Sequence, residues 1–129
     1  MLAAVPGSVL VVDDDSDFRG LAKRLLSGIG LAVVGEADTA AAALAAAAAL
    51  KPDVALVDVV LPDRDGIALA RELVALPWRP RVILTSTDAD AASREDVRTS
   101  GADAFVPKAE LPGAPLRLLL GGPAPSSGQ

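Results

Sequence analysis

The segment Asp53-Val54-Ala55-Leu56-Val57 constrains the chain most strongly. It is apolar on both faces, with no alternation, and is followed by the loop-forming run Leu61-Pro62-Asp63-Arg64-Asp65-Gly66. A strand of this kind buries both of its faces only at the centre of a parallel sheet covered by helices on two sides. The rest of the chain supplies the alternation that such a sheet needs. Ser8 to Val12 reads as a strand ending in Asp13-Asp14-Asp15. Phe18, Leu21, Ala22, Leu25, Leu26 and Ile29 then recur at helical spacing, with Asp15 or Ser16 as cap and Gly28 or Gly30 as stop. Leu31 to Val34 is a short strand, and Thr39 to Leu50 is Ala-dominated and helical by propensity. Ile67, Ala70, Leu73 and Val74 mark a third helix, stopped by Pro77. Arg81 to Leu84 is a fourth strand, Ala89 to Ser100 a helix with a thin apolar stripe, and Ala104 to Val106 a fifth strand. Leu116 to Leu120 closes the expected domain at residues 8–120, leaving residues 1–7 as an N-terminal tail and the Gly-, Pro- and Ser-rich residues 121–129 as a disordered C-terminal tail. Strands that alternate with helices define an α/β fold with a parallel sheet.

Composition removes whole classes of chemistry. The chain of 129 residues has no Cys and no His, which excludes disulfide scaffolds, thiol chemistry and every mechanism built on imidazole. A net charge of −5 opposes direct binding to nucleic acid, which needs a basic face. The Ala-rich run Ala40 to Leu50 is too short to span a bilayer, and Met1 to Pro6 lacks the basic start of a signal peptide, so a cytoplasmic protein is expected.

In doubly wound sheets the functional site lies at the carboxyl ends of the strands. Those ends carry Asp13 and Asp14 after the first strand, Asp58 after the third, Thr85-Ser86-Thr87 after the fourth and Lys108 after the fifth. Any single Asp in such a place is an ordinary turn former or helix cap. If the first and third strands are neighbours, three of them converge at one rim and call for a shared counter-charge. With Lys108 they leave two net negative charges, a match for one divalent cation, and an all-oxygen donor set suits a hard ion such as Mg²⁺. With no His or Cys present, a carboxylate is the plausible covalent acceptor, and it could attack a phosphoryl group held by a metal and a Lys.

Four segments resemble the receiver domains of bacterial two-component response regulators. Val9-Leu10-Val11-Val12-Asp13-Asp14-Asp15 is similar to the family's acidic first strand, and Asp53 to Gly66 to its phosphoacceptor strand and following loop. Val82 to Ser86 resembles the strand that carries a switch hydroxyl. Gly101-Ala102-Asp103-Ala104-Phe105-Val106-Pro107-Lys108 resembles the segment with a switch aromatic and a Lys. The resemblance runs from about residue 8 to residue 120. It implies a five-stranded sheet of flavodoxin-like order 2-1-3-4-5 with helices on both faces. It implies that Asp58 accepts a phosphoryl group, and that Asp14, Asp58 and the Val60 backbone carbonyl bind Mg²⁺, with Asp13 acting through water or as a further ligand. Lys108 would contact a phosphoryl oxygen, Ser86 would move toward the phosphoryl group, and Phe105 would rotate inward. Ser86 is preferred to Thr85 because it lies 28 residues after Asp58 and 22 before Lys108. The donor would be a sensor histidine kinase or phosphotransfer protein. The readout surface would be the fourth helix, fifth strand and fifth helix, acting on a partner or on an effector domain outside this chain.

The chain departs from the family pattern in three places. Pro107 precedes Lys108 and Ala109 follows it, where the family usually has Pro directly after the Lys; the fourth helix is poor in apolar residues; and Pro112, Gly113 and Pro115 interrupt the last helix. Two other readings use the same residues. A degenerate receiver would act as an interaction module without phosphorylation. A Mg²⁺-dependent phosphohydrolase with Asp58 as nucleophile would usually carry a second Asp two residues on, where this chain has Val60. A nucleotide or flavin module is disfavoured, since Gly28 and Gly30 precede a strand and no Gly-rich loop opens a helix.

Overall fold

The computed structural model of the chain describes residues 7–112. The expected closing segment at Leu116 to Leu120 and the tail at 121–129 lie outside the described residues, as do residues 1–6. Within them the order is β1 (Ser8–Val12), α1 (Ser16–Gly28), β2 (Ala32–Ala37), α2 (Ala40–Leu50), β3 (Val54–Asp58), α3 (Gly66–Val74), β4 (Arg81–Ser86), α4 (Arg94–Ser100) and β5 (Ala104–Pro107), followed by a 3₁₀ turn at Lys108–Glu110. The strands form one parallel sheet in the order β2-β1-β3-β4-β5. β3 is buried at every position, as its two-faced apolar sequence requires. No helix among the described residues is long and apolar enough to cross a membrane.

Each face of the sheet is closed by a different kind of helix. Phe18, Ala22 and Leu26, spaced by four, bury the inner stripe of α1 against Val9, Val11, Leu56 and Ile83. The opposite face is covered by α2 and α3. There α2 contributes only Ala40, Ala43 and Ala47, all fully buried, so this helix lies close to the sheet and gains little per side chain. Its N-terminus is held twice: Thr39 Oγ1 accepts from the Ala42 N–H, and Asp63, reaching from the loop after β3, accepts from the N–H groups of Ala40 at 2.8 Å and Ala41 at 3.0 Å.

Several boundaries differ from the sequence reading. β2 continues past Val34 to Ala37, because pairing with β1 carries the backbone through Gly35 and Glu36 after a register shift at Val9/Leu10. The polar Glu36 is accommodated there by ion pairs with Arg19 and Lys23 of α1. β4 continues past Leu84 through Thr85 and Ser86, which stay paired with β5. The fourth helix does not begin at Ala89 but at Arg94. Asp88 and Ser86 side chains accept from the N–H groups of Asp90 and Asp88, folding residues 86–90 into turns. Ser93 and Asp96 then form a reciprocal capping box that sets the start. The helix stops at Gly101, whose φ of +80° is left-handed.

Two polar side chains tie the amino-terminal ends of the strands. Asp53, expected as a strand residue, instead accepts hydrogen bonds from the Gly7 and Ser8 N–H groups and from Ser8 Oγ. Asp103 accepts from the Val82 N–H at 2.8 Å and from Arg79 at 3.0 Å. Arg79 has a left-handed φ of +41°, and its guanidinium also donates to the Pro80 and Gly101 carbonyls, which holds the chain in that conformation.

Replacing Ala43 by Leu should destabilise the domain by about 1–3 kcal/mol through overpacking, whereas Ala45→Leu on the exposed face of α2 should stay within about 0.5 kcal/mol of wild type. Urea unfolding of both variants checks this. The backbone hydrogen bond from Gly7 holds the Asp53 carboxyl below its ordinary value, despite partial burial. Its stabilising contribution is therefore present above the unfolded pKa and is lost as pH falls through the lower folded value. The stability difference between wild type and Asp53→Asn should hold down to about pH 5 and narrow progressively below it, which unfolding midpoints across that range would show.

Candidate functional site

The sheet order brings the carboxyl ends of β1 and β3 side by side, and the chain places an acidic residue on each. Asp13 follows β1, with its N–H donating to the Ala37 carbonyl of β2 at 2.9 Å and its own carbonyl accepting from Arg19 at 2.7 Å. Its side chain is fully buried, and Oδ1 accepts from the Asp15 N–H at 2.9 Å. Asp15 in turn caps α1, one of the two caps expected from the sequence. Asp58, the last residue of β3, is 7% exposed, and its Oδ1 accepts from the Val60 N–H at 3.0 Å. Asp14 is exposed at the same rim. One carboxylate oxygen from each of Asp13, Asp14 and Asp58 lies within 4.8 Å of the others.

Lys108 reaches this cluster from the far side of β4. Its Nζ lies 2.7 Å from Asp13 Oδ2 and 3.2 Å from Asp58 Oδ2. The departure at Pro107 does not turn the side chain away: Pro107 ends β5 opposite Ser86, Lys108 opens the 3₁₀ turn, and the described residues contain no cis peptide bond. Burial pushes the Asp58 carboxyl above its ordinary value, and the neighbouring Asp13 charge adds to this against the opposing Val60 N–H and Lys108. Burial works against the Lys108 ammonium, but the contact and charge of Asp13 and the charge of Asp58 outweigh it and hold its pKa above the ordinary lysine value.

The donor set fits a hard divalent cation. It is all oxygen, it carries three carboxylates against one ammonium, and the buried Asp13 Oδ2 has the Lys108 charge beside it but no aligned hydrogen bond. The Val60 residue is exposed and bridges to Asp65 across the loop.

The two candidate hydroxyls differ in their commitments. Thr85 is buried and donates from Oγ1 to the Val106 carbonyl at 2.7 Å, tying β4 to β5. Ser86 is buried, and its Oγ accepts from the Asp88 N–H at 3.1 Å. Phe105 is half-buried and lines a cavity of 330 Å³ with Ala92, Ser93, Arg94, Val97 and Arg98.

Two contributors were not singled out from sequence. Phe18 was read as a core residue by its helical spacing, yet its ring lies under the Lys108 ammonium, 4.0 Å from Nζ to the centroid. Gly66 was read as part of a loop. A Cβ there would sit 2.0 Å from the Asp58 carbonyl oxygen and 2.8 Å from Val59 Cα, so only Gly lets α3 start against the Asp58 backbone. The Gly of an Asp-Gly pair was the available signal, although composition alone does not distinguish a turn from a close approach.

A doubly wound sheet with an acidic rim and a Lys at its carboxyl edge is the arrangement that the receiver resemblance implies. The response regulator receiver domain model matches residues 9–115, and the chain belongs to that family. The signal receiver domain of NarL from Mycobacterium tuberculosis superposes with a TM-score of 0.74 at 33% identity, covering 90% of this chain and 98% of that one. The chain is 42% identical over 102 residues to the DNA-binding transcriptional activator DevR/DosR of M. tuberculosis, covering 78% of this chain and 46% of that protein. It is 38% identical over 101 residues to a protein-glutamate methylesterase/protein-glutamine glutaminase of Alkalilimnicola ehrlichii, covering 77% of this chain and 26% of that protein. The chain thus spans between about a quarter and a half of the length of these curated relatives. Receiver domains bind Mg²⁺ at an acidic pocket and interact with histidine kinases or phosphotransfer proteins.

Gly66→Ala should cost about 1–3 kcal/mol by overpacking and should shift the amide resonances of Val59 and Val60, which a two-dimensional NMR spectrum would register alongside unfolding.

Proposed function

We propose that this receiver accepts a phosphoryl group on Asp58 from a phosphohistidine of a partner protein. The observation that carries the reading is the placement of Asp58 at the rim, with Lys108 Nζ 3.2 Å from Oδ2 and the oxygens of Asp13 and Asp14 within 4.8 Å. Asp14, Asp58 and the Val60 carbonyl would hold Mg²⁺, with Asp13 as a further or water-mediated ligand. The bound ion would offset the charge of the phosphoryl oxygens and orient them for in-line attack.

The chain's own residues account for the remainder. An Asp58 carboxylate oxygen forms a bond to phosphorus as the phosphorus–nitrogen bond of the donor breaks, and the donor imidazole leaves. Lys108 exchanges its contact with the Asp58 carboxylate for one with a phosphoryl oxygen, while Asp13 keeps it at the rim. The added charge of about −1.5 to −2 then attracts a hydroxyl. Ser86 is favoured over Thr85 because it gives up only the Asp88 contact, whereas Thr85 would break its bond across to β5. Phe105, beside the cavity under α4, would follow inward, so that α4, β5 and the expected fifth helix form the readout face. In this reading the domain is a cytoplasmic signalling module that does not itself bind nucleic acid, and its output lies in a partner or an attached effector.

Intact mass after incubation with acetyl phosphate should show one added phosphoryl group that requires Mg²⁺ and is absent in Asp58→Asn. A wild type that gains none would overturn the phosphoacceptor role. Ser86→Ala should still be phosphorylated but should lose the shift of the Phe105 ring resonances on phosphorylation. Thr85→Val should retain that shift, and the opposite pattern would assign the switch to Thr85.

A further inference from the structure

Three groups surround the Lys108 ammonium: Asp13 Oδ2 at 2.7 Å, Asp58 Oδ2 at 3.2 Å and the ring of Phe18, with its centroid at 4.0 Å. The Lys108 side chain is only 13% exposed and Phe18 only 8%, so this contact is largely shielded from water. Charge alone would draw the ammonium toward Asp13, the closer and more deeply buried carboxylate, and away from Asp58. The ring attracts the cation without competing for a proton and without adding charge. Its ring is also held by apolar packing and not by the carboxylates, because Phe18 belongs to the core of the α1 face, where Val106 and Leu111 flank Lys108 in sequence.

From this geometry we infer that Phe18 is a positioning residue: its ring face fixes the Lys108 ammonium at the point from which it meets Asp58, and afterwards the phosphoryl oxygen. This rests on the phosphoacceptor reading. Asp58 changes charge and shape when it is modified, and the ring does not, so Phe18 gives the ammonium a constant seat in both states. The same seat explains how Lys108 is directed when the residue after it is Ala109 and the local backbone is a short 3₁₀ turn.

The test compares wild type, Phe18→Leu, Phe18→Tyr and a trifluorinated phenylalanine in place of Phe18, which keeps the shape but weakens the negative ring face. In the metal-free protein, the Lys108 ε-methylene protons should lie upfield in wild type and Phe18→Tyr. They should move toward solvent values in Phe18→Leu and in the fluorinated protein, whose unfolding midpoint should match that of wild type. With acetyl phosphate and Mg²⁺, the phosphorylation rate should fall about fivefold in the same two proteins, as expected for loss of one partly desolvated cation–π contact, and Phe18→Tyr should restore it. An unmoved Lys108 signal in the fluorinated protein overturns the inference, whether or not the rate falls, because a rate loss alone would mean a packing role. A moved signal at an unchanged rate overturns it too. If wild type is not phosphorylated at all, the phosphoacceptor reading fails, and the Lys108 shifts by themselves decide whether the ring seats the ammonium.

Discussion

The ammonium of Lys108 sits against two carboxylates at the rim of the sheet, with a third close by. Two like charges about 4 Å apart repel by about 4 kcal/mol at the effective dielectric of a protein surface, so such a rim is not stable without a counter-charge. One lysine meets part of that demand. The remaining negative charge is what makes the site receptive to a divalent cation, and the rest of the molecule is arranged around keeping it in place. β1 and β3 must be adjacent for Asp13 and Asp58 to meet, and β5 must lie two strands away for a lysine side chain to span β4 and reach them.

The scaffold holds this arrangement through its backbone. Asp13 is fastened by its N–H to β2, by its carbonyl to Arg19 and by Oδ1 to the start of α1. Asp58 is fastened through the Val60 N–H and by the close approach of Gly66 to its own carbonyl. Asp63 then links the same loop to the N-terminus of α2. The loop after β3 therefore connects the Asp58 carboxylate to helices on one face, while Phe18 connects the lysine to the helix on the other. Rigid seats on both faces suit chemistry that depends on positioning and charge more than on proton transfer.

Much of this was legible in the residues. The two-faced apolar run of β3 announced a central parallel strand, and the short runs between amphipathic stretches supplied its neighbours. Asp13, Asp14, Asp58 and Lys108 stood out because each lies at the carboxyl end of a strand, and the structure brings all four together. The boundaries read less well. β2 runs on through Gly35 and Glu36, residues that disfavour strands, because the edge of β1 offers hydrogen bonds that outweigh propensity. The fourth helix begins late because Ser86, Asp88 and the Ser93–Asp96 box hold the preceding backbone in turns. Phe18 was invisible as a site residue, since an aromatic at helical spacing looks the same in a core and beneath an ammonium.

The sequence by itself determined the fold class, the parallel order of strand and helix, and the chemical make-up of the site: carboxylates at the strand ends and one lysine. These follow from local quantities, namely apolar periodicity, strand-end position and the absence of His and Cys. Tertiary structure alone decided which oxygen faces which nitrogen, that Thr85 is committed to β5 while Ser86 is held only by a turn, that Gly66 must lack a side chain, and that Phe18 closes over Lys108. The physical reason is that each of these depends on how the strands pair and the helices seat on the sheet: Lys108 meets Asp13 and Asp58, Phe18 meets Lys108 and Thr85 meets Val106 across long stretches of sequence, and even the short-range placements of Ser86 and Gly66 are fixed by the backbone path that the assembled sheet imposes.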